Sequence, residues 1–507
     1  MGVQLPKSAD GPGRDPGTDP AADQSPPGAL RAGLKNRHLS MIAIGGVIGA
    51  GLFVGSGAGI AKAGPGILIS YALAGTLVVL VMRMLGEMAA ADPSSGSFST
   101  YADRALGRWA GFTVGWLYWF FWVVVLAVEA TAAAKILTGW VPAVPQWTWA
   151  LLVMALLTAT NLASVGSYGE FEFWFAGIKV VAITVFIVVA GLAAFGLLPG
   201  TEAVGAANLT GHGGFLPNGP GAVLSGMLLV VFSFMGSEIV TLAAGESPEP
   251  QRMVRRATNS VIWRIGTFYI LSVLLAVVLL PWNAKSLVKD GPYVASLNQM
   301  GIPHAGAIMD VIVLTAVLSC LNSGLYTASR MAFSLGQRGD APKSFARTDR
   351  RGVPPAAIWA SVGFGFVAVI FNYTSPDTVF EFLLNSSGAV ALFVWLVICC
   401  SQLRMRRTIE REMPERHTVR MWLFPYLTYA TIAFILFVVG YMFYDDEGRQ
   451  QMVMSVVVGA LVLVVGIVRD RMAPGPAAGH VRTAEAVAAE PGAPTAADEA
   501  GGTGTGA

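Results

Sequence analysis

Apolar residues gather into twelve long blocks along this chain, at roughly 39–62, 66–90, 109–138, 147–165, 171–197, 221–244, 260–281, 304–333, 356–373, 377–401, 420–443 and 451–468. Blocks of about 20 apolar residues cross a bilayer as helices. A backbone inside lipid must satisfy its own polar groups, which selects helix over an open strand. The expected class is an all-α integral membrane protein with twelve transmembrane helices. The first block is irregular. It reads Gly45-Gly46-Val47-Ile48-Gly49-Ala50-Gly51-Leu52-Phe53-Val54-Gly55-Ser56-Gly57, six glycines in thirteen residues. Each glycine costs a helix about 1 kcal/mol against alanine. Either the helix breaks near mid-membrane and turns bare peptide groups toward a ligand, or the glycines line a face for close helix packing. The sixth block has a second such point, Phe232-Ser233-Phe234-Met235-Gly236-Ser237-Glu238, where a Gly-Ser pair precedes a carboxylate. Blocks one and six open two successive groups of five. Five being odd, the second group starts on the opposite side of the membrane. An inverted 5+5 repeat then sets two discontinuous helices, 1 and 6, side by side. The pair favours unwinding.

Charge gives the orientation. Arg31, Lys35 and Arg37 precede the first block. With that end inside, the cytoplasmic loops hold Arg104 and Arg108, then Arg252, Arg255 and Arg256, then Arg338, Lys343, Arg347, Arg350 and Arg351, then Arg404, Arg406, Arg407, Arg411 and Arg416. The opposite loops carry little beyond Lys285, Lys289 and Arg449, with Asp445, Asp446 and Glu447. The bias holds along the whole chain. A multi-pass protein of the cell (cytoplasmic) membrane, with both termini cytoplasmic, is expected.

Composition changes this picture little. The chain is 54% hydrophobic and 13% charged, with a formal net charge of +2. Residues 1–34 and 472–507 are rich in Gly, Pro, Ala and Asp or Glu, and read as disordered cytoplasmic arms around a 35–471 membrane domain. Cys320, Cys399 and Cys400 fall in apolar blocks and read as reduced core thiols. His38, His212, His304, His417 and His480 lie in or near expected loops. No HExxH, paired CxxC or Walker loop occurs, so an ATPase, metalloenzyme or triad hydrolase is not expected. No metal, no organic cofactor and no nucleic-acid partner are expected.

The run from Arg37-His38 to Gly57 resembles the first helix of amino acid permeases. These belong to the amino acid–polyamine–organocation superfamily, whose fold is the LeuT-type inverted repeat. The likeness continues through Ala63-Gly64-Pro65, Met82-Arg83-Met84-Leu85-Gly86-Glu87-Met88 and Gly96-Ser97-Phe98-Ser99-Thr100-Tyr101-Ala102. It also takes in Gly169-Glu170-Phe171-Glu172-Phe173-Trp174, Ser329-Arg330-Met331 and Gly339-Asp340-Ala341-Pro342. Gly107-Arg108-Trp109-Ala110-Gly111 and Ala257-Thr258-Asn259-Ser260-Val261-Ile262-Trp263-Arg264 are most similar to bacterial γ-aminobutyrate (GABA) permeases. The tails fall outside the likeness. It implies a secondary active transporter, not an enzyme, that imports GABA or a related amino acid by proton symport and alternating access. The alternatives are an amino acid exchanger of the same fold, or a membrane nutrient sensor.

An amino acid zwitterion carries a carboxylate and an ammonium. A helix start offers free N–H groups and a helix stop offers free C=O groups. By family pattern the carboxylate goes to N–H groups around Gly49, Ala50 and Gly51. The ammonium goes to carbonyls near Gly45 or Ile48, and near Phe232 and Phe234 in block six. Ala50 stands where relatives often have Ser. Phe232 stands where many have Trp, so it is either an aromatic gate or ordinary packing. Glu238, a carboxylate inside a membrane helix, is rare enough to mark function. It would meet the substrate ammonium, join a gate below it, or reach cytoplasmic water. Lys179 lies eight residues into block five, about 12 Å deep and too far in to snorkel easily. By resemblance to proton-coupled permeases its ammonium replaces the coupling ion of sodium-driven relatives, so the proton gradient is the driving force. Carbonyls around Gly46 and Val47, with Ser319, Asn322 and Ser323 of block eight, would receive it. A structural ion pair is the alternative. Glu129 in block three is a candidate partner of Lys179 or of the substrate ammonium. Glu87 in block two is either functional or an anchor for Arg83. Asn385-Ser386-Ser387-Gly388 is a further candidate lining of the path.

Overall fold

The computed structural model describes residues 34, 36–45, 48–49, 51–199, 202–244, 249–374 and 389–472. The expectations for the tails beyond these limits, for Gly46, Val47 and Ala50, and for Asn385 to Gly388 lie outside the described residues. Among the described residues all regular structure is helical. Seven helical stretches are long and apolar enough to cross a membrane, and Gly219–Val231 and Pro355–Val367 are shorter apolar helices.

Helices follow in chain order at the twelve expected spans, of which residues 377–388 of span ten lie outside the described residues. Span one comprises Asn36–Gly45, a π-helical turn Gly51–Gly55 and Ser56–Ala63. Spans two to five are Ile67–Ala91, Arg108–Trp140, Gln146–Ala163 and Val165–Ala194. Span six is Gly219–Ser233 followed by Ile239–Ala243. Span seven runs through Pro250–Arg264, a π-helical stretch Ile265–Leu271 and Ser272–Leu279. Spans eight to twelve are Ala305–Gln337, Pro355–Thr374, Val390–Glu412, Tyr426–Tyr444 and Asp446–Met472. Arg404, Arg406, Arg407 and Arg411 lie in the last turns of span ten. Among the described residues four short α-helices lie between spans: Ser97–Leu106, Ala207–Thr210, Lys285–Lys289 and Pro292–Gln299.

Helical spacing separates a lipid face from a core face. On span five Val181, Val185 and Val188 are exposed, while Glu172, Lys179, Ile183 and Phe186 are buried on the other side. The second half of span one packs on the first half of span six, and its first half packs on spans five and seven. Span three packs on spans four, eight, nine and twelve, and span eight also on span five. The two interrupted spans therefore sit at the middle of the bundle.

One histidine departs from expectation. His38 lies inside the first helix and is buried, with Nε2 3.0 Å from Glu170 on span five. The helix starts before its apolar residues because Arg37 and His38 both bond Glu170 of span five. Of the expected loop histidines His417 is also buried, against Glu87.

Candidate functional site

The break in span one ends the first helix at Gly45 and restarts beyond Gly49. Leu52 and Phe53 donate backbone N–H bonds to the Gly49 carbonyl at 3.2 and 3.4 Å, so among the described residues they are the first donors of the restarted helix. N–H groups before them point ahead of a helix start, where the peptide dipoles favour an anion. Ile48 is buried, and Gly49 and Gly51 are partly open. A Cβ on Gly51 would stand 3.1 Å from Ser233 Cα and Cβ. The two breaks touch because that position carries no side chain.

Span six stops at Ser233, and the chain turns through Phe234 to Glu238. Gly236 takes φ +102°, a conformation that an L side chain resists. Phe232 lies on the helix that ends here. The Phe234 carbonyl, expected to face an ammonium, accepts from the Ser237 N–H at 3.4 Å and its hydroxyl at 2.9 Å. The Phe234 ring is buried among Tyr71 and Tyr269, with centroids 6.1 and 4.7 Å away. The Tyr269 hydroxyl donates to the Ser233 carbonyl at 3.3 Å.

Glu238 is buried. Its Oε1 accepts from the Tyr118 hydroxyl of span three at 2.9 Å and from the Gly236 N–H at 3.2 Å. Its Oε2 has no hydrogen bond among the described residues. The carboxylate ties the turn of span six to span three and is not a solvated helix end.

Lys179 is fully buried. Its ammonium donates to the Ser319 hydroxyl of span eight at 2.8 Å, and that hydroxyl donates to Glu172 Oε1 at 2.6 Å. Asn322 and Ser323 stand beside the same carboxylate. Asn322 also accepts from Asn161 of span four at 3.0 Å. Glu129 is buried on span three beside the Cys320 thiol, within electrostatic reach of Lys179. One cation and two carboxylates thus meet where spans three, five and eight adjoin, and every carboxylate there is desolvated.

Glu172 and Tyr118 were not singled out from the sequence. Glu172 had a readable signal: it lies seven residues before Lys179, two turns back on the same helix face. Tyr118 had none, since its role depends on span six lying alongside span three.

Glu87 is a hub rather than an anchor for Arg83. Its oxygens accept from Gln402 (3.1 Å), Arg406 (2.8 Å), His417 (3.0 Å) and the Met421 N–H (2.7 Å). Arg83 instead reaches the Asn259 side chain and the Arg420 carbonyl. The expected pairing fails because Arg83 is partly exposed and turned to span seven and the loop before span eleven, while Glu87, one turn nearer the end of span two, is fully buried against span ten.

A family model described as "Amino acid permease" matches residues 38–470, nearly the whole described region. The chain belongs to the amino acid permease family. It is a transporter rather than an enzyme, an all-helical multi-pass membrane protein, and its twelve spans with interrupted helices 1 and 6 are the LeuT-type 5+5 repeat of that family. The permease is 54% identical over 435 residues to the gamma-aminobutyric acid permease of Bacillus subtilis (strain 168), covering 86% of this chain and 92% of that protein. It is 52% identical over 444 residues to the gamma-aminobutyric acid permease of Escherichia coli (strain K12), covering 88% and 94%. The aromatic amino acid transport protein AroP of Corynebacterium glutamicum is 43% identical over 439 residues, covering 86% and 94%.

Proposed function

We propose that this permease imports GABA or a close amino acid across the cell membrane together with a proton, by alternating access. The observation that carries the reading is the buried group Lys179, Ser319, Glu172 and Glu129 behind the paired breaks. Two carboxylates and one ammonium leave an odd charge in a water-poor interior. A buried charge without a counter-charge is costly, so a proton taken up here neutralises the group. Peptide groups around Gly49 and Gly51 receive the substrate carboxylate, and the carbonyl edge of the span-six break faces its ammonium. GABA is favoured over aromatic or other amino acids by the names of the relatives with the highest identity quoted above. The arginine-rich loops face the cytoplasm, as do both termini. Spans one, two, six and seven rock against the others, and the Glu238–Tyr118 bond closes the inner side.

The driving force is adequate. A potential of about 100 mV supplies about 2.3 kcal/mol per charge and one pH unit about 1.4 kcal/mol, together roughly 500-fold accumulation of a neutral zwitterion with one proton. The test is uptake by purified permease in vesicles under an imposed pH gradient. Lys179→Met is expected to abolish accumulation while leaving binding measurable. Accumulation at the parent level by that variant would remove the proton role from Lys179. Uptake only into vesicles preloaded with amino acid would show an exchanger instead.

A further inference from the structure

Arg264 is a buried cation that this mechanism does not use. Arg264 is the last residue of Pro250–Arg264 on span seven. It lies fourteen residues from one end of the helical run Pro250–Leu279 and fifteen from the other. Counted from Arg256, the last arginine assigned to the cytoplasmic loop, it lies eight residues in, about 12 Å at 1.5 Å per residue. Its neighbours Ile262 and Trp263 are 50% and 53% exposed, whereas Arg264 is 4% exposed. The lipid face is therefore next door and the guanidinium is turned inward. Nε is buried without a hydrogen bond, and no ion pair reaches the side chain among the described residues. Among the described residues the more buried Arg330 bonds the Ser329 hydroxyl and stacks on the Tyr326 ring.

The surroundings tell where this charge acts. The π-helical stretch Ile265–Leu271 begins at the next residue. In such a stretch residues five apart come into line, which sets Arg264 beneath Tyr269. The guanidinium lies within electrostatic reach of Tyr269, whose hydroxyl donates to the Ser233 carbonyl at the span-six break. Ile265 packs where Gly75 of span two has no side chain, and Phe234 of the break closes the same corner. Arg264 thus belongs to the span-seven wall of the central site. A guanidinium buried inside a membrane span is costly unless an anion meets it, and its planar fork suits a carboxylate.

We propose that Arg264 binds the carboxylate of the transported amino acid, supplying the whole positive charge that the peptide groups of span one supply only in part. This rests on the amino acid reading above. It gives the site a requirement for a carboxylate that backbone dipoles alone enforce weakly.

The test is competition against labelled GABA on purified permease in nanodiscs, with GABA and its uncharged isostere 4-aminobutanamide as competitors. Arg264→Gln is expected to weaken GABA at least about tenfold, the scale of a lost charge-assisted hydrogen bond, and to leave 4-aminobutanamide unchanged. Arg264→Lys keeps the charge but not the fork and is expected to weaken GABA less. It carries the same comparison should the glutamine variant not purify as a monodisperse protein. Equal losses for GABA and the amide would overturn the proposal, as would parent-level GABA affinity in Arg264→Gln. So would restoration of binding to Arg264→Gln by Glu238→Gln, which would make Glu238 the partner in another state. Loss of parent GABA binding in chloride-free buffer, with Arg264→Gln indifferent to chloride, would assign the site to chloride instead. A parent protein that binds no amino acid would sink the functional reading itself, an outcome separate from all of these.

Discussion

Ser319→Ala is the sharpest perturbation of the coupling group. The Ser319 hydroxyl bridges the Lys179 ammonium at 2.8 Å and the Glu172 carboxylate at 2.6 Å. Alanine removes both bonds and adds no bulk. A hydrogen bond to a charged group contributes about 1.5–3 kcal/mol, so losing one uncompensated bond changes the free energy of holding a proton by that amount. The conversion of about 1.4 kcal/mol per factor of ten makes this at least about a tenfold loss in proton coupling. The assay is the steady accumulation ratio of labelled substrate in vesicles at a fixed pH gradient, beside counterflow at equal pH on both sides. The ratio is expected to fall at least about tenfold while counterflow persists. Glu172→Gln keeps an acceptor without the charge and is expected to fall in between. Parent-level accumulation by both variants would refute the relay, and equal loss of accumulation and counterflow would show general damage rather than uncoupling.

Two further outcomes test the frame that holds the site. Gly51→Val is expected to abolish binding, because even a Cβ would sit 3.1 Å from the Ser233 backbone; binding by that variant would show that the breaks need not touch. Glu87→Gln leaves Arg406 without its buried counter-charge and is expected to lower detergent thermal stability by about 1–3 kcal/mol, whereas Arg83→Gln, at a partly exposed position, is expected to change it far less.

The sequence made some of this architecture legible for plain physical reasons. Apolar block length reports the spans directly, and the clustered glycines before Leu52 and at Gly236 report where a helix cannot continue. Depth along span five marked Lys179 as an inward charge, since a residue so far from either end has no water to reach. The partners of these charges were another matter. Ser319 was among the expected polar groups of span eight, but its position between Lys179 and Glu172 depends on how two helices 140 residues apart rotate against each other. Tyr118 meets Glu238 across 120 residues, and Arg406 meets Glu87 across 319. Such pairs leave no period in the chain. Arg264 was quoted only as part of a family-like run. Its inward turn follows from the lipid exposure of Ile262 and Trp263, which packing alone reveals.

The most direct test of the central claim is a cryo-electron microscopy map of the permease with bound GABA. Density is expected between the span-one break at Ile48 to Gly51 and the span-six break at Ser233 to Gly236, with one end toward the Leu52 helix start. Both breaks empty and GABA seated elsewhere would contradict the account.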